Sequence, residues 1–374
     1  MVLAKPDPAL AGAIACLQLS QWPGLGSAGA HKLIRKSGSL QAAAGWSQSD
    51  WKQNGLPPTL LNSLTQRPDV SECERQLQDL RASGIECICW DDADYPPLLA
   101  ECADAPLLMY ARGRRELLQR PALAVVGSRK PGRQGLRVSS EWAAGLARAG
   151  LCIVSGAALG IDASAHEAAL EVGGASIAVL GCGIDRVYPQ RNRPLFERLC
   201  QQGLLLSEYA PGAAPQRHHF PRRNRVIAGL SLGVLVVEAA RRSGSLITAR
   251  LALDYNRDVF AVPGPVHQLN SAGCHELIRS GAELVTEPGH IMQAFEGWLP
   301  EALRVDFGDL DVDHKLADLS PTEQRLLERL DTEGQAPESL VVALQMAPAE
   351  VTKSLAALAA KGLAVSRGGF WLRA

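Results

Sequence analysis

Six times between residues 122 and 264 the chain repeats one unit: a short apolar run, a turn of small residues, and a stretch with helical periodicity. The runs are ALAVVG (122–127), LCIVSG (151–156), SIAVLG (176–181), LLLSE (204–208), GVLVVE (233–238) and DVFAVPG (258–264). A strand with one face in water alternates apolar and polar residues, and these runs do not, so both of their faces must be covered. Strands of that kind, each followed by a helix, predict an α/β fold: an extended, Rossmann-like, doubly wound parallel sheet.

Such a sheet binds ligands beyond the carboxyl ends of its strands, where turns are tight and helix N-termini present unpaired N–H groups. The loops there begin Gly127-Ser128-Arg129-Lys130, Ser155-Gly156, Gly181-Cys182-Gly183 (leading to Tyr188–Asn192) and, after Glu238, Ser243-Gly244-Ser245. Glycine lets backbone approach a phosphate, and serine hydroxyls add donors. Asp162 is placed to cap the helix that continues through His166, and this cap with a loop-bonded histidine accounts for the pair without catalysis. No G-x-x-x-x-G-K-[ST] occurs, nor G-x-G-x-x-G after the first strand, so neither ATP hydrolysis nor hydride transfer is supported. No cofactor and no catalytic residue are expected.

The segment HHFPRRNRVIAGLSLGVLVVEAA (218–240) sets an aromatic and a cluster of arginines directly ahead of a buried strand. Phe220 can stack on a base while Arg217, Arg222, Arg223 and Arg225, with Asn224 among them, attract phosphates. Sequence-tolerant single-strand binders use that combination. The formal net charge is −1, so positive charge has to be concentrated locally. From Arg186 to Arg225 there are eight arginines against Glu197 and Glu208, a local balance of +6.

A chain of 374 residues exceeds what one core supports. The expected division is a small helical domain at 1–70, of sterile-alpha or helix-hairpin-helix type around Gly24 and Gly26. The sheet domain follows at 71–298, an acidic linker at 299–319 and a winged-helix domain at 320–374. In the last, helices are expected from Pro321 through Leu330, from Pro337 to Leu344 and from Pro348 to Lys361, then a hairpin about Gly368-Gly369. The third helix carries only Lys353 and Lys361 against Glu350, which favours an auxiliary or partner-binding role over reading of duplex sequence. Nine cysteines without paired spacing fit a reducing compartment and argue against a zinc site. The N-terminal apolar run is too short for a secretory signal and no run reaches a membrane span, so a cytoplasmic location is expected.

The order of motifs is distinctive. GSR, SGxAxGIDxxAH, GCGxxxxYPxxN, FPxRNRxIAGLS, VVEAxxxSGSLITAxxA, VFAVPG and LIxxGA stand at 127–129, 155–166, 181–192, 220–231, 236–252, 259–264 and 277–282. Across this span, 127–282, the chain resembles the bacterial DNA-processing protein A (DprA, Smf) family. The resemblance implies an extended Rossmann-type domain that binds single-stranded DNA, dimerises, and loads the RecA recombinase during natural transformation. It also implies a binding pocket of Arg129, Arg217, Phe220, Arg222 or Arg223 and Arg225, completed by Asn192, Ser243 and the glycine turns. KPGRQG after Arg129 departs from the family's pattern, with Lys130 and Arg133 offering substitute charge. The apolar stretch 274–285 is a candidate dimer edge. The alternative reading is a nucleotide phosphoribohydrolase-like enzyme, because Glu238 ends a strand where a related architecture carries a glutamate.

Overall fold

The computed structural model describes residues 8–55, 57–63, 66–299, 319–330, 334–360, 363–367 and 369–373. Nearly all of the acidic linker expected at 299–319 lies outside these residues, as do Lys361 and Gly368. Contacts divide the chain into two units, 1–305 and 306–374.

The first unit begins with six helices: α1 (Pro8–Ser20), α2 (Ser27–Ser37), α3 (Leu40–Gly45), α4 (Gln48–Gln53), α5 (Pro58–Asn62) and α6 (Val70–Ala82). Their starts are set by local chemistry. Ser39 and Asp69 side chains accept from Ala42 N and Glu72 N, and Ser47 with Asp50 closes a capping box. The helices enclose Trp22 and Trp51, packed edge to face at 5.0 Å. Two bonds tie them to the residues before the second strand: the Cys16 thiol donates to Leu107 O at 2.7 Å, and His31 Nε2 bonds Ala105 O at 2.8 Å.

The sheet then forms from β1 (Glu86–Cys89), helix α7 (Pro97–Ala100), β2 (Leu108–Gly113), β3 (Ala122–Val126), α8 (Arg133–Arg148), β4 (Cys152–Ser155), α9 (Ile161–Glu171), β5 (Ser176–Leu180), α10 (Arg193–Gln202), β6 (Leu204–Ser207), α11 (His219–Gly229), β7 (Gly233–Val236), α12 (Ser245–Asp254), β8 (Asp258–Ala261), α13 (Ala272–Arg279), β9 (Glu283–Leu284) and α14 (Pro288–Ala294). The six apolar runs are the strands β3 to β8. Spatial order is β1-β2-β6-β5-β4-β3-β7-β8-β9. All pairings from β6 to β9 are parallel, and the antiparallel β1 and β2 extend the edge beside β6.

Side chains alternate between two cores, as a period of two requires. Val154, Ile177, Val179, Leu204 and Leu206 pack with Ile227 and Ala249 on one face. Ala178, Leu180 and Leu205 pack with Leu170, Phe196 and the N-terminal helices on the other. The sheet is thus covered on both sides, which is why its strands read as unbroken apolar runs.

In the second unit α15 (Pro321–Arg329), α16 (Pro337–Leu344) and α17 (Pro348–Ala360) precede an antiparallel pair, β10 (Ala364–Arg367) and β11 (Phe370–Arg373). Ser320 and Glu323 form a capping box at the start of α15. Leu326, Leu340, Val351, Leu355 and Leu358 are fully buried at its centre.

Candidate nucleic-acid interface

The loops at the carboxyl ends of β3, β4, β5 and β7 are brought together, and glycine decides how closely. Gly160 has φ +83°, and a Cβ there would run into Ser128 O; a Cβ on Gly127 would lie 2.7 Å from Ile161 Cγ1. Two strand-end loops therefore touch backbone to backbone.

At the N-terminus of α8 the chain supplies its own anion. Glu238, 7% exposed, accepts from Gly132 N–H at 2.9 Å (Oε2) and 3.3 Å (Oε1). A Cβ on Gly135 would stand 2.9 Å from its carboxylate. This is the place where a Rossmann sheet ordinarily seats a phosphate.

The β4–α9 loop is clamped from within. Asp162 does not cap α9: Gly160 holds the cap position without a side-chain bond, and the Asp162 carboxylate reaches back to Gly156 N–H and Ala158 N–H at 3.2 and 3.4 Å. Ala157, at φ +51°, donates its N–H to His166 Nε2 at 3.3 Å, and Asn192 Nδ2 donates to Ala157 O and Ala158 O at 3.0 and 3.3 Å. His166 Nε2 is thereby an acceptor, so Nδ1 carries the proton toward Ser176 Oγ, 2.7 Å away. Burial holds this imidazole neutral, its pKa lowered to about 3.

The arginines and polar residues expected to meet DNA fall into two groups. Arg223 is 5% exposed and donates to Gly156 O and Val179 O; burial lowers its pKa to about 10, with Asp162 acting the other way. Arg225, 7% exposed, pairs with Glu208 and stands 3.7 Å from Asp104. Both were expected as phosphate contacts; instead their guanidiniums are engaged inside the protein. Ser155 is buried and donates to Val125 O, Asn224 donates to Gly244 O, and Ser243 and Ser245 bond each other at 2.7 Å. Arg129, Lys130, Arg217 and Arg222 are exposed.

Phe220 organises the exposed group. Its half-buried ring packs on Gly181, where a Cβ would lie 2.8 Å from Phe220 Cδ1. The Arg129 guanidinium sits 5.7 Å from the ring centroid, and the Tyr188 ring is 5.4 Å away, tilted by 38°. Tyr188, 43% exposed, is the residue missing from the expected pocket; its place in the YPxxN motif was the available signal. The tandem histidines divide likewise: His218 is exposed, while His219 is buried, stacked on Tyr209 at 3.9 Å and bonded to Gly181 O at 3.2 Å. Two aromatic faces edged by separate cations can stack a base and neutralise backbone.

No group of three or more metal-binding side chains occurs among the described residues, and no helix among them is long and apolar enough to cross a membrane.

The sequence profile described as DNA recombination-mediator protein A matches residues 86–296, the span that carries these loops. The DNA processing protein DprA of Streptococcus pneumoniae is 49% identical over 230 residues, 61% of this chain and 79% of its own. The X-ray structure of the S. pneumoniae DprA superposes with TM-score 0.66 at 37% identity, covering 78% of this chain and 98% of that one. The Helicobacter pylori DNA processing protein A, whose structure addresses its single-stranded DNA binding mode, superposes with TM-score 0.52 at 31% identity over 57% of this chain and 96% of that one. The chain belongs to the DNA recombination-mediator protein A family, that of DprA and Smf.

Proposed function

We propose that the protein binds single-stranded DNA without reading its sequence, at the carboxyl edge of the parallel sheet, and delivers it to a RecA recombinase during DNA uptake and recombination. The observation that carries the reading is the platform of Phe220 and Tyr188 under Arg129, flanked by exposed Lys130, Arg217 and Arg222. The H. pylori relative, which binds single strands, supports it. In this reading Ser155, Gly156, Gly181, Asn192, Arg223, Asn224, Arg225 and Ser245 shape the loops, and the exposed residues meet the strand.

The protein acts by binding rather than by catalysis. Glu238 supports this, because its carboxylate fills the position where a nucleoside monophosphate would place its phosphate. The remaining parts of the reading are a cytoplasmic homodimer joined through 274–285, and a C-terminal unit that folds as a winged helix in an auxiliary role. The division at 1–70, 71–298, 299–319 and 320–374 belongs to it as well. Leu284, 46% exposed on the edge strand β9, favours that dimer face.

Fluorescence anisotropy of labelled oligothymidine and a matched duplex, titrated at several salt concentrations, tests the binding. Salt-sensitive preference for the single strand is the expected result. Equal affinity for both, or none at low salt, would overturn it.

A further inference from the structure

Basic side chains continue along the carboxyl edge of the sheet beyond the aromatic platform. Phe220 and Tyr188 stand at the end of β5, where the Phe220 ring packs on Gly181. Arg129 and Lys130 follow β3, Arg133 opens α8, and Arg241 and Arg242 follow β7; all five are exposed. β5, β4, β3 and β7 are consecutive in the sheet, so the way from the platform to Arg241 and Arg242 crosses three strand spacings, about 14 Å.

The loops along this way are fastened to one another. Glu238 accepts from Gly132 N–H at 2.9 Å, Asn270 Nδ2 donates to Lys130 O at 3.1 Å, and Asn224 Nδ2 donates to Gly244 O at 3.3 Å. No acidic residue occurs in 127–137 or 239–250. Arg223 and Arg225 are engaged inside the protein, whereas Lys130, Arg133, Arg241 and Arg242 have no ion-pair partner among the described residues. A free guanidinium is a strong, geometrically specific donor to phosphate, and four of these cations in line suit a polyanion better than a single phosphate.

We propose that the bound strand lies across the strand ends from β5 toward β7, with one base on the Phe220–Tyr188 platform and more distant phosphates on Arg241 and Arg242. Lys130 and Arg133 serve the phosphates between. At about 3.4 Å per nucleotide the crossing takes about four nucleotides. The inference rests on the single-strand reading and adds to it a course over the surface and a minimum footprint.

The test uses a labelled strand of abasic sugars carrying one thymine, the sole base able to stack on the platform. Neutral methylphosphonate linkages are placed about four nucleotides from it, on its 5′ or its 3′ side. By anisotropy, neutral linkages on one of the two sides should weaken binding to the native protein about tenfold, as loss of charge-assisted hydrogen bonds would. The double variant Arg241→Ala/Arg242→Ala should bind the fully charged strand about as weakly and lose nothing more with the neutral linkages. Its salt slope should flatten by about 1.4, two contacts at about 0.7 each, and its denaturant midpoint should be native because both side chains are exposed. Equal losses from the neutral linkages in native and variant proteins, or native affinity and slope in the variant, would overturn the course while leaving the platform standing. Failure of the native protein to bind any strand would overturn both.

Discussion

Arg222 and Arg223 are neighbours in one helix, and their fates are opposite: the first is exposed, the second holds two carbonyl oxygens inside the β4 and β5 loop ends. Successive helical residues differ in direction by about 100°, so a run of arginines cannot lie wholly in solvent when one side of its helix is packed on a sheet. Arg223→Ala should therefore act on the fold. It strips a buried network around Asp162 and should cost about 3–5 kcal/mol, read as a lowered denaturant midpoint; a midpoint unchanged within 1 kcal/mol would refute that role. His166 supplies a pH test. Its folded pKa of about 3 lies below the ordinary value of 6.5. Its contribution is complete above pH 6.5 and is lost as pH falls toward 3, because only the unfolded chain takes up the proton in that window. Stability should decline there with a slope approaching 1.4 kcal/mol per pH unit from this group, and His166→Asn should flatten the decline in urea titrations. The residue types of this site were legible in the sequence. Which arginines were buried was not, because burial of Arg223 and Arg225 depends on carbonyl and carboxylate partners from β5 and from the loops after β4, before β2 and after β6.

At the level of elements, β3 to β8 of the parallel sheet were readable because they are buried on both faces and carry no polar alternation to confuse them. The helices of the second unit were readable from Pro321, Pro337 and Pro348 at their starts. The antiparallel extension by β1 and β2 was not legible, since nothing local fixes Tyr110 opposite Ser207 across almost a hundred residues. The strand-end loops were foreseen as ligand sites, but one of their anion positions proves to be internally satisfied. Glu238 at the N-terminus of α8 joins β7 to α8 across the sheet. Glu238→Ala should cost about 1–2 kcal/mol through loss of the carboxylate against the helix N-terminus, and the variant should begin to bind adenosine monophosphate weakly by calorimetry. If the unsubstituted protein releases free adenine from adenosine monophosphate and Glu238→Gln stops it, the enzyme reading returns.

For the whole molecule, a formal charge of −1 coexists with an edge of exposed Arg129, Lys130, Arg133, Arg217, Arg222, Arg241 and Arg242. Affinity for nucleic acid then depends on this local field rather than on net charge, and must weaken with salt. Stacking and phosphate contacts separate cleanly in such a site, because only the second releases counterions. The decisive measurement is the slope of log affinity against log salt for oligothymidine with the native protein, Phe220→Ala and Arg217→Ala. Phe220→Ala should lose about 1–3 kcal/mol of affinity with the slope unchanged, while Arg217→Ala should flatten the slope by about 0.7. Native affinity and native slope in both variants would place the binding site elsewhere on the protein.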